Sequence, residues 1–228
     1  MSELTIAEMI KQVPEGQFQT FEASDVDPVE EHYFQVWQNW EHRPERLYWL
    51  NGRSGTSAPW FGTRRSPRTP VNTLPPPDVQ FKGPAKQVVD SYGTGSHAFF
   101  ISDKLFQLIE EMDPGSLEHI EFGLRAKDGT LPFHAVMPLR NLEAIDPRRT
   151  TVLIKDRRLG DIYWREVEFP DGVVFNNETL RGVSSFSDVD ISGWFWSKDL
   201  LARAKSQGIR GLYAISKASE KLNEVERL

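Results

Sequence analysis

Apolar positions in the first fifty residues fall into three groups. Ile6, Met9 and Ile10 recur at the spacing of an amphipathic turn, and Phe18 to Phe21 reads as a strand. Tyr33, Phe34, Trp37 and Trp40 follow at spacings of three and four, which suits one face of a helix. The pattern then lapses. Residues 44–84 hold eight prolines, including Pro75-Pro76-Pro77, together with Gly52, Gly55 and Gly62. No regular element of any length survives that density. Trp49, Trp60, Phe61 and Phe81 within the stretch predict an irregular arm packed across the body rather than a free linker.

The second half is more regular. Phe99-Phe100-Ile101 reads as a strand, and Ser102 caps a helix through Asp103, Leu105, Phe106, Leu108, Ile109 and Met112 that stops at Pro114-Gly115. A hairpin comes next. With Asp128-Gly129 as its two-residue turn, Leu124 faces Phe133, Phe122 faces Ala135 and Ile120 faces Met137, all on one side. Pro132 puts the second strand at an edge or at a bulge. Beyond it lie a strand at Thr151-Val152-Leu153-Ile154, an aromatic strand over residues 161–169, and a turn at Pro170-Asp171-Gly172 leading into Val173-Val174-Phe175. Near the end Trp194-Phe195-Trp196 reads as a strand. Ser197 caps a helix carrying Leu200, Leu201 and Ala204, Gly208 ends it in a left-handed conformation, and residues 211–215 return as a strand.

Phe100-Ile101-Ser102-Asp103-Lys104-Leu105-Phe106 and Phe195-Trp196-Ser197-Lys198-Asp199-Leu200-Leu201 share one pattern, each copy leading to a glycine stop and another strand. One supersecondary unit used twice accounts for this; two unrelated helices with the default serine cap account for it as well. The expected class is α+β: a mixed, mainly antiparallel sheet with capped helices packed on it and a proline-rich irregular arm. The chain divides into two regions, an N-terminal one over residues 1–95 with the aromatic helix and the arm, and an α+β domain over residues 96–228, unless they form one continuous domain.

Composition narrows the function classes. The chain has 228 residues, of which 39% are hydrophobic and 26% charged, enough to bury an ordinary core. A mean hydropathy of -0.48 is that of a water-soluble protein. There is no cysteine, which excludes disulfides and thiolate metal sites. The start has no basic region and Glu8 and Lys11 interrupt its apolar stretch, so no signal sequence or membrane span is read, and a cytoplasmic location is expected. A net charge of -6 argues against a nucleic-acid partner, and the short basic cluster Arg64-Arg65-Ser66-Pro67-Arg68 has no aromatic interleaving.

No catalytic or metal constellation assembles. Of the five histidines, His32, His42, His97, His119 and His134, none forms a metal-ligand pair at helical spacing. The hairpin register sets His134 opposite Gly123, about 13 Å along the strand from His119 at roughly 3.3 Å per residue. Ligands of one zinc lie on the order of 3 Å apart, so these two are read as exposed and separate. Asp25-x-Asp27 and Asp188-x-Asp190 lack the glycine and distal glutamate of a calcium loop. Gly182-Val183-Ser184-Ser185-Phe186 is no nucleophile elbow, and Gly93-Thr94-Gly95-Ser96-His97 lacks the lysine of a phosphate loop. No cofactor is expected, and the chain is read as a protein-binding molecule, not an enzyme. Two features are candidate contact surfaces. Residues 22–31 carry five acids and no base, among them Asp25, Asp27, Glu30 and Glu31, which suits a solvated helix approach or an acidic docking patch. On the Trp194-Phe195-Trp196 strand, alternation turns either the tryptophan pair or Phe195 away from the core unless both faces are covered, so Trp194 and Trp196 are candidate interface anchors.

Phe99-Phe100-Ile101-Ser102 opening a helix, Leu117-Glu118 entering the hairpin, and Trp196-Ser197-x-x-Leu200 followed by Gly208-Ile209-x-Gly211-Leu212 resemble the bacterial immunity proteins of polymorphic toxin systems, family eleven and its relative family forty-three. The similarity covers roughly residues 96–215. It implies a small cytoplasmic protein, encoded beside a toxin, that protects the producing cell by binding that cognate toxin; it carries over no catalytic residue. An enzyme that reverses a toxin's modification and a scaffold working through the proline-rich arm stand as alternatives.

Overall fold

Two strand-serine-helix units organise the chain. The computed structural model describes residues 4–25, 27, 30–38, 47–49, 75–93, 98–159, 162–191, 193–216 and 226–227. In chain order its elements are α1 (Ile6–Gln12), β1 (Phe18–Phe21), β2 (Tyr33–Gln38), β3 (Leu47–Trp49), β4 (Val79–Phe81), β5 (Ser91–Gly93), β6 (Phe99–Ser102), α2 (Asp103–Met112), β7 (Leu117–Ala126), β8 (Gly129–Pro138), β9 (Asn141–Leu142), β10 (Val152–Leu159), β11 (Ile162–Glu168), β12 (Ser185–Asp188), β13 (Trp194–Ser197), α3 (Lys198–Ser206), β14 (Leu212–Ile215) and β15 (Glu226–Arg227). These form three sheets, ordered β3-β4-β7-β8-β6-β5, β15-β14-β2-β13-β12-β9 and β1-β10-β11. The class is α+β with mixed, mainly antiparallel sheets. Each sheet joins strands from residues 1–95 to strands from residues 96–228.

The repeated motif is geometric. Ser102 and Ser197 have nearly the same backbone angles, φ -63 and ψ 155 against φ -64 and ψ 154. Each Oγ accepts from the N–H three residues on, Leu105 or Leu200, at 3.2 Å, satisfying one orphan donor of the helix start. In the first unit β6 and β7 both lie antiparallel to β8 between them; in the second, β13 and β14 lie antiparallel to β2. The middle strand of the first unit is the next in sequence. That of the second comes from near the start of the chain.

Helices α2 and α3 pack against each other between the two larger sheets, burying Leu105, Ile109, Leu200 and Ala204 with Val36, Trp194 and Trp196. A second core on the far side of the β8 sheet contains Phe81, Tyr92, Phe122, Phe133 and Met137. A third, with α1, Tyr33, Phe175, Phe186 and Phe195, covers the far side of the β13 sheet. The capping box of α1 and the stop of α3 behave as their local sequences dictate. Thr5 and Glu8 exchange backbone bonds at the start of α1, and Gly208, at φ 66, closes α3.

Four expectations change. Residues 33–38 form a strand, not a helix: β2 pairs on both sides and is covered on both faces, Tyr33 in one core and Val36 in another, so no clean two-residue alternation marks it. Within residues 44–84 two strands of three residues, β3 and β4, do form and pair with each other. The hairpin turns at Lys127-Asp128, with Ala126 opposite Gly129 and Phe122 opposite Phe133. Neither turn residue has positive φ, so this is not the turn that Asp-Gly signals. The turn is instead tied to the β4–β5 segment, Ala85 N–H donating to Asp128 Oδ1 at 2.6 Å and Lys127 N–H to the Gly83 carbonyl at 3.0 Å. The shift by two keeps Phe122, Leu124, Phe133, Ala135 and Met137 on one face, as expected. Finally, β8 is interior to its sheet, but Pro132 falls just past the last β6 pair, Ser102 with Phe133, where no donor is needed on that side. Trp40, Trp60, Phe61, His42, His97, Arg64, Arg65, Arg68 and the residues 50–74 of the expected arm lie outside the described residues.

Candidate partner-binding surface

The small sheet β1-β10-β11 turns one face to the body and one to solvent. Its inner positions, Phe21, Val152, Ile154 and Val167, pack with Ile6, Met9 and Val13 of the α1 region. Arg165 locks that packing. Its guanidinium donates to the carbonyls of Ile10 at 2.8 Å and Val13 at 2.9 Å, capping the end of α1, and to both oxygens of Asp156 at 2.8 and 3.2 Å. The bond from Arg165 holds the Asp156 carboxyl below its ordinary value.

On the outward face, pairing sets Phe18 beside Lys155, Lys155 beside Glu166, Arg157 beside Trp164, and Leu159 beside Ile162. The four charges there satisfy one another: Lys155 pairs with Glu168, and Arg157 Nε lies 2.6 Å from Glu166 and its Nη2 3.5 Å from Glu168. Arg157 thereby keeps the Glu166 carboxyl below its ordinary value. The result is a neutral lattice edged by apolar groups. Phe18 is 78% exposed, Leu159 70%, Ile162 65% and Trp164 44%; Tyr163, on the other face of the hairpin, is 56% exposed with Arg158 5.1 Å from its ring centre. Scattered exposed apolar residues are ordinary, but here Leu159 and Ile162 are paired neighbours and Trp164 stands beside Arg157, and exposed Trp, Tyr and Arg are the types enriched at interface centres.

This surface was not among the expected ones. Its signal is the run Ile162-Tyr163-Trp164, apolar at three successive positions, which strand alternation cannot bury on one face.

The expected surfaces fare differently. Trp194 and Trp196 are both fully buried, as is Phe195. Both sides of β13 are covered, the tryptophans by Phe99 and the helices and Phe195 by Phe175 and Phe186, so neither indole is available at the surface. The acidic run leads from the end of β1 in the small sheet to the start of β2 in another. Asp25 pairs with Arg149 at 2.5 Å and accepts the Asp27 N–H at 3.1 Å. Exposed Glu30 meets Lys198 at 3.0 Å, which lowers its pKa. Asp27 is exposed, and Glu31 is half-buried in a shallow depression beside Tyr33 and Phe175. Both Asp-x-Asp pairs serve local turns, since Asp188 Oδ1 likewise accepts from the N–H groups of Asp190 at 2.8 Å and Ile191 at 3.2 Å.

The histidine expectation is corrected. Because the register shifts, His134 sits opposite Glu121 and only diagonal to His119, and their ring centres are 5.4 Å apart. His134 is buried at 5% exposure, stacked 4.0 Å from Phe106, with Nε2 2.9 Å from Asp103 Oδ1. Burial, with His134 alongside, lowers the His119 pKa. The Asp103–His134 pair ties the start of α2 to β8. Among the described residues no group of three His, Asp or Glu side chains is placed to hold a metal ion, and no helix is long and apolar enough to cross a membrane.

No curated protein is similar enough to match the chain. A family model described as Immunity protein family (Imm11) matches residues 20–215, a stretch that takes in both serine-capped units and all of the small sheet from Thr20 onward.

Proposed function

The chain belongs to the Imm11 immunity protein family, and from that premise we propose that it protects a bacterial cell carrying a polymorphic toxin system. In this reading it sits in the cytoplasm of the producing cell and binds the cognate toxin encoded beside it. It neutralises that toxin by occupying its surface, with no reaction of its own. The observation that supports a binding role most directly is the exposure of Ile162, Tyr163 and Trp164, three successive large apolar residues at the tip of the small sheet. Tryptophan and tyrosine are enriched among the few residues that carry most of the binding energy at protein interfaces. The acidic residues Asp25 and Asp27, just past the other end of the same sheet, with Glu30 and Glu31 further on at the approach to β2, add a charged margin, where charge steers encounter more than it adds affinity.

The test is coexpression with the product of the adjacent open reading frame. The expected result is restored growth together with a stoichiometric complex that survives purification. Growth restored without any complex would favour an enzyme that undoes the toxin's effect; neither growth nor complex would overturn the reading.

A further inference from the structure

β11 is the last strand of its sheet, and among the described residues nothing pairs with its far side. Its seven residues present about 23 Å of edge at roughly 3.3 Å each, and every second residue turns its N–H and C=O away from β10. Among the described residues none of those groups has a backbone partner outside the β10 ladder. Proteins ordinarily blunt such an edge with proline, a bulge, or a charge left pointing outward. Here the devices are missing or already engaged. There is no proline in the strand, and its pairing with β10 runs unbroken from Glu168 to Ile162. Arg165 is turned onto Asp156 and the end of α1, and Glu166 and Glu168 are turned onto Lys155 and Arg157. At the tip, Ile162 and Trp164 are exposed on one face and Tyr163 on the other, so face and edge stand open together.

We infer that this edge is where the toxin binds, by adding an extended segment of its own as a fourth strand to the small sheet. The inference rests on the immunity reading, and β11 lies wholly inside the family-matched stretch. Main-chain bonds supply the pairing, and alternate side chains supply the selectivity. The segment that fits carries apolar residues opposite Ile162 and Trp164 on one face and opposite Tyr163 on the other. Its middle needs no particular charge, because the ions beside it are balanced within the sheet.

The experiment uses the full chain and the toxin domain encoded next to it. Hydrogen exchange is followed with and without toxin, and binding is measured for Trp164→Glu, Ile162→Lys and the remote control Leu139→Lys, a side chain 53% exposed elsewhere on the surface. Expected are at least tenfold slower exchange of the outward amides of Ile162–Glu168 in the complex, a loss of affinity of about thirtyfold or more for each hairpin variant, and wild-type binding by the control. A complex that forms while the edge amides exchange as before overturns the inference and leaves the immunity reading standing. So does an edge already protected in a dimer of the free chain and unaffected by toxin, which would assign β11 to a second copy. A hairpin variant that fails to fold leaves the wild-type exchange result to decide. Absence of any complex with the wild-type chain overturns neutralisation by binding and the edge assignment with it.

Discussion

Trp194 Nε1 donates a 2.7 Å hydrogen bond to Ser185 Oγ between two adjacent strands, at a point where neither residue has any exposure. The indole sits in the helix-filled core, and Ser185 is the polar atom that lets it do so.

Replacing Ser185 with alanine leaves a buried indole donor without a partner. The expected cost is about 1–3 kcal/mol, the desolvation penalty of one unmet group, seen as a lower urea midpoint with an unchanged slope.

The two serine caps should differ in worth. Ser197→Ala removes one cap bond and should cost about 1 kcal/mol. Ser102 also donates to Asp90 Oδ1 at 2.7 Å, while Asp90 Oδ2 accepts the Arg210 N–H at 2.8 Å, so this serine joins the first unit to the end of the second. Ser102→Ala should therefore cost about 2–3 kcal/mol, and equal losses at the two sites would contradict the linkage.

Asp188 introduces a pH dependence. It has no exposure, and burial pushes its pKa up to about 6 despite N–H bonds from Ala144, Asp190 and Ile191. A carboxyl raised from 3.8 to about 6 on folding favours the folded state fully below pH 3.8. That contribution is lost as pH rises through 6, and the whole amounts to on the order of 3 kcal/mol. Denaturant titrations across this window should show the wild type losing stability relative to Asp188→Asn as pH rises. The asparagine variant should also be less stable throughout, because both carboxyl oxygens accept backbone N–H bonds and an amide offers only one acceptor. A constant difference between the two curves would rule the titration out.

Gly211 has φ 101, and a Cβ there would lie 2.8 Å from Val89 Cγ2 and 2.9 Å from the Ser91 carbonyl. Gly211→Ala should cost about 3 kcal/mol or more, combining backbone strain with a contact against a backbone atom that has little room to move. Thermal melting would show it, and an unchanged midpoint would mean that β14 can shift away from β5.

Much of the fold was legible because its signals are local. Ser102 and Ser197 cap the helices they precede, Gly208 adopts the left-handed stop, and the alternation of Phe122, Leu124, Phe133 and Ala135 puts one face of the hairpin in the core. The register of that hairpin was not legible, since the preference of Asp128-Gly129 yields to bonds from Gly83 and Ala85, more than forty residues away. That shift by two is also what brings His119 and His134 together.

The candidate surface shows the same division. The residues by themselves determined an α+β chain of capped helices and hairpins with aromatic strands, because caps, turns and alternation act over a few residues whose chemistry is in view. Which aromatic strand is buried was decided only in three dimensions. Trp194 and Trp196 vanish because β2, from near the start of the chain, and the two helices enclose β13, while Ile162 and Trp164 stay outside because β1 pairs only as far as Lys155 and, among the described residues, nothing covers the rest of the hairpin. Exposure depends on which distant segments arrive, and the free energy of those pairings is summed over the whole molecule.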